Sequence, residues 1–241
     1  MPAPSGPPPG PAPGLGPSPA PPTEFVPTES AGSPGVRRRA YRDYEQYLAH
    51  QADKLRRLRD RIEPSDLEYE EIVFERFHGL AEFGGDSLRG HSVLCLGARL
   101  GGEVRAFKRL GALAVGLDIE PGEKNPHVLH GDFHDLAFPD ACFDRVFTNA
   151  IDHAWDPARV IDEGARVLKP GGLFHLELCA ERPGRYEAID TSDPAPILAM
   201  MGARLSRAGM VEVRNVTSYL DWSGWLYTFR RLGASSAGHA C

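Results

Sequence analysis

The sequence has little cysteine and arranges it in no recognisable pattern. Four of its 241 residues are cysteines, and no two of them form a CxxC pair. A small secreted domain held by disulfides, or a zinc module, would need such residues at regular spacing. Three of the four lie in or beside apolar runs, where a free thiol packs as a small hydrophobic group. We therefore expect free thiols in a reducing compartment, and we predict a cytoplasmic protein.

Long apolar runs and an excess of positive charge are also missing. No apolar stretch approaches the ~18 to 20 residues that cross a membrane as a helix. The formal net charge is −6, so no chain-wide basic field attracts the protein to phosphate backbones. The N-terminus has neither the cationic start nor the continuous apolar segment of a secretory signal. We expect a soluble protein that binds neither membrane nor nucleic acid.

Proline is plentiful but unevenly placed. Thirteen of the 22 prolines fall within residues 1–34, mixed with glycine, alanine and serine. Such a segment buries too little apolar surface to offset the entropy of ordering it. We predict a disordered Pro/Gly/Ala-rich tail over 1–36, N-terminal helices forming a cap or lid over 37–86, the main domain over 87–233 and a C-terminal tail over 234–241.

Two helices are predicted before the main domain. Apolar residues recur at spacings of three and four over residues 41–62, which indicates a helix with one apolar stripe that ends near Pro64. A second helix is predicted from an N-cap at Ser65 or Asp66 to the glycine pair 84–85. The stripe shows only that one face of the helix is buried. The first helix therefore either packs on the main domain or acts as a mobile lid over a substrate cleft.

From residue 92 onward, short runs rich in leucine and β-branched residues alternate with helical segments. The runs are SVLCL, LAVGLDI, VLHGD, DRVFTN and LFHLEL. This alternation predicts βαβ units. After one more helix, the C-terminal segment is predicted to form two strands around a turn at Asp221 to Gly224. The expected fold class is α/β, a Rossmann-like, doubly wound, mostly parallel seven-stranded sheet with a C-terminal antiparallel strand pair, preceded by N-terminal helices.

The turn after the first of these runs has the sequence GARLGG and begins at Gly97. Ligands of open α/β sheets bind beyond the carboxyl ends of the strands, beside this turn. Gly97 and Gly101 let the backbone approach a ligand closely, and the following helix N-terminus presents free N–H groups. Asp118 ends the next strand, where its carboxylate can accept both hydroxyls of a ribose. The pattern predicts a nucleoside ligand, while Arg99 at the central glycine position disfavours a nicotinamide dinucleotide.

The blocks that follow are GD at residues 131–132, then FPDACFD and LKPGG. In this order and spacing the sequence resembles the class I S-adenosylmethionine-dependent methyltransferases, especially the small-molecule type with a UbiE-like domain. The resemblance covers about residues 90–180. It implies an enzyme that binds S-adenosyl-L-methionine and transfers its methyl group to an O or N nucleophile of a small molecule.

The resemblance also implies contacts to the cofactor. The implied contacts are the turn Gly97, Ala98, Arg99 and Gly101 under the methionine part, Asp118 on the ribose, Ile119 and Phe133 beside the adenine, Asp132 on its amino group, and Asn149 facing the transferable methyl. Two positions depart from the family pattern: Cys95 replaces the usual acidic residue before the turn, and Arg99 replaces a glycine. The Arg99 guanidinium either pairs with the cofactor carboxylate or crowds the pocket.

A candidate base lies just past the strand DRVFTN. His153 can take a proton at neutral pH, although a structural role at a helix start is an equal alternative. Asp152 is the alternative base or the orienting partner of His153. The spacing of His127, His130 and His134 suits metal ligands on a helix, but this stretch crosses a strand end and a turn, so we predict no metal site.

The acceptor class is narrowed by two missing motifs. The sequence after the fourth run has neither the N/D-P-P-Y/F block of amino-methylating DNA enzymes nor a Pro-Cys nucleophile pair. This favours a small-molecule acceptor, and a protein acceptor stays open. The alternative function is a non-catalytic binding or scaffold protein with a methyltransferase fold, whose proline-rich tail is offered to protein partners.

Overall fold

The computed structural model describes residues 24–29, 32–82, 88–219 and 221–232. None of the helices in these ranges is long and apolar enough to cross a membrane. In chain order the elements are β1 Pro27–Glu29, β2 Arg37–Arg39, α1 Tyr44–Glu82, β3 Ser92–Leu96, α2 Gly102–Arg109, β4 Leu113–Asp118, β5 Val128–His130, β6 Phe143–Thr148, a 3-10 helix Ile151–His153, α3 Pro157–Val167, β7 Leu168–Leu178, α4 Ala195–Arg204, β8 Ser206–Val216 and β9 Asp221–Arg230.

Seven strands form one sheet in the order β5-β4-β3-β6-β7-β9-β8. The strands from β5 to β7 are parallel, and β9 runs antiparallel to both β7 and β8. The predicted Rossmann-like sheet with a C-terminal antiparallel pair is therefore confirmed. Successive strands are added in one direction from β3 to β5 and in the other from β6 onward, and this switch between β3 and β6 places a crevice at the carboxyl ends of β3, β4 and β6.

The hydrophobic core lies on both faces of the sheet. Alternate residues of β3 point to opposite faces, as the pleat of a strand requires. Leu94 and Leu96 join the cluster under α3 and α4, whereas Val93 and Cys95 join the cluster under α1 and α2. Cys95 is fully buried, and burial raises the pKa of its thiol well above the ordinary value. The cysteine that replaces the family's acidic residue is thus an inert core residue.

The two predicted N-terminal helices are one helix, α1, of 39 residues with Pro64 inside it. A proline in a helix interior removes one backbone hydrogen bond and favours a break. Here the predicted cap residues bond to other elements instead of ending the helix. The Ser65 hydroxyl pairs with the Thr217 hydroxyl at 2.7 Å, and Asp66 accepts from Arg105 Nη2 at 2.7 Å. Tertiary contacts of the two residues that follow Pro64 thus accompany the continuation of the helix.

The predicted C-terminal turn is displaced by a few residues. Residues 221–224 lie inside β9, and β8 already ends at Val216. Position 224 requires glycine inside the strand, because a Cβ atom there would lie 2.4 Å from the Leu178 carbonyl oxygen. The glycine that suggested a turn therefore serves the close approach of β9 to the end of β7.

Part of the predicted tail has structure. Pro27–Glu29 pairs with Arg37–Arg39 in a small antiparallel sheet. Ser33 is fully buried, and its hydroxyl donates to Asp156 Oδ1 at 2.7 Å. The described residues of the tail are therefore anchored to the N-terminus of α3. The rest of the predicted tail, the glycine pair 84–85, the C-terminal tail and the cysteine at 241 lie outside the described residues.

Candidate cofactor and acceptor site

The glycine turn forms a floor beside the carboxyl ends of the strands. Gly97 has a φ of 72°, and a Cβ at that position would lie 2.5 Å from the Cβ of Ala150. Gly101 has a φ of 91° and precedes the first residue of α2. Both positions require glycine because L side chains rarely adopt these angles. The turn therefore keeps bare backbone against the crevice, as its sequence predicts.

Asp118 fastens this turn to the end of β4. Its Oδ2 accepts the backbone N–H of Arg99 at 2.8 Å, and its Oδ1 accepts the backbone N–H of Glu120 at 2.8 Å. Arg99 has a φ of 47°, which is uncommon for a residue other than glycine. Each carboxylate oxygen keeps a second lone pair for a ligand. Asp118 is thus preorganised to accept two hydroxyl groups.

A cavity with about 580 Å³ of empty space opens beside Asp118. Five of the predicted cofactor residues line it, together with four residues of α1. The predicted residues are Gly97, Arg99, Asp118, Ile119 and Phe133, and those of α1 are Tyr47, Gln51, Lys54 and Leu55. Ala98 and Gly101 are not among the lining residues; Ala98 is buried beneath the turn.

Asp132 does not line this cavity, although its neighbours Gly131 and Phe133 do. Its carboxylate accepts the hydroxyl of Tyr44, and it accepts the His134 backbone N–H at 2.9 Å. Burial would raise the pKa of Asp132, but the hydrogen bonds from His134 and Tyr44 outweigh burial and lower it. The carboxylate expected to hold the adenine amino group is thus engaged by α1 and by its own loop.

Asn149 lines a second cavity, with about 970 Å³ of empty space. Its Nδ2 donates to the Tyr69 hydroxyl at 2.8 Å, so α1 fixes its orientation. The two cavities share four lining residues, namely Lys54, Arg99, Ala150 and His153. Because the same residues border both spaces, the cavities are neighbours. A group bound in the first cavity can therefore present an atom to the second.

His153 sits at this junction. Its Nδ1 lies 3.0 Å from the Tyr186 carbonyl oxygen, and its Nε2 lies 2.8 Å from Lys54 Nζ. The carbonyl can only accept, so Nδ1 carries the proton and Nε2 is the acceptor. Burial is the main cause that lowers the pKa of His153 below its ordinary value. His153 is therefore a neutral imidazole with its lone pair directed at Lys54.

Asp152 does not orient His153 through a hydrogen bond. Its Oδ2 lies 3.8 Å from His153 Nε2, beyond hydrogen-bonding distance and on the nitrogen that faces Lys54. Its backbone carbonyl accepts the N–H groups of Ala188 and Ile189. These bonds bring Glu187 beside the 3-10 helix. The Asp152 carboxylate consequently lines the second cavity rather than supporting the ring.

Asp152, His153 and Glu187 place ligand atoms within 4.8 Å of one another, the one group of this kind among the described residues. A metal ion would need the His153 lone pair, which Lys54 already uses, so we assign no metal to this group. The three histidines considered above do not converge. His134 bonds to Asp132, and His127 lies 3.1 Å from Lys108 Nζ.

The sequence allowed the first N-terminal helix as a lid over a substrate cleft, but it identified none of the α1 residues that line the site. The apolar stripe of α1 was evident, but Gln51 and Lys54 are polar residues in a helix rich in charge, and no local pattern separates them from solvent-exposed positions. Their role follows from the way α1 lies across the crevice. A long-range contact, rather than a motif, identifies them.

The strand order and the crevice at the carboxyl ends of the strands are those of the Rossmann-like methyltransferase fold. Residues 94–176 match the family model described as the methyltransferase domain. The sterol 24-C-methyltransferase of Eremothecium gossypii is 36% identical over 113 residues, which cover 40% of this chain and 30% of that protein. The dimethylglycine N-methyltransferase of Parasynechococcus marenigrum is 31% identical over 113 residues, 40% of each protein.

A solved structure matches over most of the chain. The 1,6-didemethyltoxoflavin-N1-methyltransferase of Burkholderia thailandensis, with bound 1,6-didemethyltoxoflavin and S-adenosylhomocysteine, superposes with a TM-score of 0.60 at 16% identity. The match covers 86% of this chain and 99% of that one. At this identity the likeness concerns the fold. The matched stretches span from 19% to 40% of the length of the curated relatives.

Proposed function

We propose that this protein is an S-adenosylmethionine-dependent methyltransferase that transfers a methyl group to an O or N nucleophile of a small molecule. The observation that carries the proposal is the pair of neighbouring cavities. The first contains the glycine turn and Asp118, and the second contains His153 and several charged side chains. S-adenosylmethionine supplies a methyl group on a positively charged sulfur, which any suitably placed nucleophile can attack.

The residues of the first cavity fit a nucleoside. Asp118 has lone pairs for the two ribose hydroxyls, and Ile119 and Phe133 provide apolar walls beside it for the adenine. The backbone at Gly97 allows the amino-acid part of the cofactor to lie close to the turn. Arg99 borders the same cavity, where its guanidinium is available to the cofactor carboxylate.

The second cavity is suited to a polar acceptor. It is lined by the carboxylates of Asp152, Glu181 and Glu187 and by the guanidinium of Arg182. One oxygen of Asp152 and one of Glu187 are buried without a hydrogen-bond partner. Methyl transfer requires mainly that the nucleophile is held in line with the methyl group. These residues hold the acceptor, and His153 lies at the junction where the proton that the acceptor loses is taken up.

The relatives support an acceptor of low molecular weight. Their names specify methylation of dimethylglycine and of sterols, and the matched structure holds the small molecule 1,6-didemethyltoxoflavin. A proline-rich tail that binds a protein partner, and a location in the cytoplasm, stay predictions.

The test has two stages. Calorimetry with S-adenosylhomocysteine should give a dissociation constant in the micromolar range. Incubation with methyl-labelled S-adenosylmethionine and fractionated metabolite extract should then transfer label to a small molecule. Absence of binding would reject the enzyme and favour the scaffold alternative. Binding followed by label on macromolecules alone would reject the small-molecule acceptor.

A further inference from the structure

Lys54 is the residue of α1 that reaches farthest into the reactive part of the site. It lines both cavities, and its Nζ lies 2.8 Å from His153 Nε2. It also lies 6.0 Å from the centre of the Tyr186 ring. His153 has a single lone pair, so a proton from an acceptor reaches the imidazole only past this amino group. Lys54, and not His153, is therefore the nitrogen that faces the acceptor.

Several charges act on Lys54 from the surrounding elements. Burial, reinforced by Arg99, lowers the pKa of Lys54 to about 8, although Glu187, Asp152 and Asp118 oppose the change. His153 is neutral, so it contributes a hydrogen-bond acceptor rather than a charge. With this pKa, both the ammonium and the neutral amine are accessible near neutral pH.

The position of the methyl group follows from the two cavities. A methyl group that passes from the first cavity to the second must cross the junction formed by Lys54, Arg99, Ala150 and His153. The positive sulfur that carries it then lies beside Lys54 and Arg99. Like charges in a partly buried site disfavour each other, and of these two side chains only lysine can lose its proton readily.

We propose that Lys54 is a catalytic residue that accepts the proton of the acceptor, and that binding of S-adenosylmethionine prepares it by favouring its neutral amine. This inference rests on the proposed function. The acceptor lone pair forms a bond to the methyl carbon, and the carbon–sulfur bond breaks with its electron pair staying on sulfur. The acceptor proton moves to Nζ, and the resulting ammonium donates to His153 Nε2. The positive charge thus moves from sulfur to Lys54.

Proton release on cofactor binding tests whether S-adenosylmethionine favours the neutral amine of Lys54, and the measurement does not require the acceptor to be known. Calorimetric titrations at pH 7.5 are compared in phosphate and Tris, whose ionisation enthalpies differ. S-adenosylmethionine should release about half a proton per site, whereas S-adenosylhomocysteine, which has a neutral sulfur, should release much less. The affinity for S-adenosylmethionine should also rise about tenfold between pH 6.5 and 8.5, while that for S-adenosylhomocysteine stays within about twofold.

Three variants test whether Lys54 is the source of the released proton. Lys54→Met should abolish both the difference in proton release between the two ligands and the difference in the pH dependence of their affinities. Lys54→Arg keeps a fixed charge, so it should weaken S-adenosylmethionine relative to S-adenosylhomocysteine at least about tenfold at every pH. Lys108→Met, which removes an exposed lysine of α2 outside both cavities, should behave as wild type.

The outcomes separate this inference from the proposed function. If S-adenosylhomocysteine does not bind wild-type protein, the proposed function fails. If it binds but both ligands release equal numbers of protons, or if Lys54→Met keeps the difference, the role of Lys54 is wrong. Retained S-adenosylhomocysteine binding shows that each variant is folded, and Lys54→Arg gives an independent result if Lys54→Met does not fold.

Discussion

The backbone N–H of Arg99 donates a 2.8 Å hydrogen bond to Asp118 Oδ2. The side chain that ends β4 therefore sets the position of the turn that follows β3. The backbone N–H of Glu120 donates to the other carboxylate oxygen, Oδ1. The site that accepts the ribose and the backbone that lies under the amino-acid part of the cofactor are thus one hydrogen-bonded unit.

Asp118→Ala should weaken S-adenosylhomocysteine binding by on the order of 2 to 4 kcal/mol, or roughly 30- to 1,000-fold. The variant loses the acceptor for the ribose hydroxyls and leaves two backbone N–H groups without their partner. Calorimetry measures the effect. Asp135→Ala removes an exposed carboxylate outside both cavities and should leave the affinity unchanged. Equal affinities for the two variants would show that Asp118 does not hold the ribose.

Gly97→Ala should both destabilise the domain and impair cofactor binding. The new methyl group would meet the Ala150 Cβ at 2.5 Å in a backbone conformation with a φ of 72°. We expect a loss of about 1 to 3 kcal/mol in the free energy of unfolding, measured by urea denaturation. Gly202→Ala is the control, because α4 has open space at that position. It should be neutral or stabilising by up to about 1 kcal/mol. Equal stabilities would contradict the strain argument.

His153→Ala should slow turnover of the identified acceptor by roughly 100-fold or more. The variant removes the acceptor for the Lys54 ammonium but leaves Asp118 and the glycine turn intact. S-adenosylhomocysteine affinity should accordingly stay within about threefold of wild type. Single-turnover kinetics and calorimetry provide the two measurements. Unchanged turnover would assign His153 to the scaffold, the structural alternative for this histidine.

Glu103 makes stability depend on pH in an unusual direction. It is 3% exposed, and burial, reinforced by Asp66, raises the pKa of its carboxyl to about 8. An acid with a raised pKa in the folded state binds more protons there than in the unfolded chain. Its contribution is therefore complete below the unfolded pKa and is lost as the pH rises towards 8.

Glu103→Gln should remove this part of the pH dependence. The neutral amide has nearly the same shape, so the variant should exceed wild type in unfolding free energy above pH 8 by an amount on the order of a few kcal/mol. Below about pH 4 both side chains are neutral, and the two proteins should be equally stable. Chemical denaturation at both pH values tests the prediction. A variant less stable than wild type above pH 8 would refute it.

The sheet could be predicted from the sequence because its signals are local. Each buried strand of the parallel part is a short apolar run, and the glycine turn and Asp118 mark the ends of two of them. Helix α1 is different. Pro64 predicts a break, and only the contacts of Ser65 with Thr217 and of Asp66 with Arg105 explain why the helix continues. Those partners are far away in the sequence.

The same limit applies to the candidate site. Asp132 occupies the expected place after β5, but its carboxylate is bound by Tyr44, which is 88 residues away in the chain. Lys54 and His153 are 99 residues apart and form the closest contact at the junction of the cavities. The site residues at the ends of the parallel strands can be predicted from the sequence motifs there. The residues that α1 adds depend on how that helix packs, which no spacing in the sequence encodes.

A crystal structure of the protein with S-adenosylhomocysteine tests most directly whether the first cavity binds the cofactor. We expect density for the nucleoside in the first cavity, with both ribose hydroxyls within about 3 Å of the Asp118 carboxylate and the sulfur at the junction beside Lys54. A first cavity that stays empty at saturating ligand, or one filled by the Arg99 guanidinium, would contradict it.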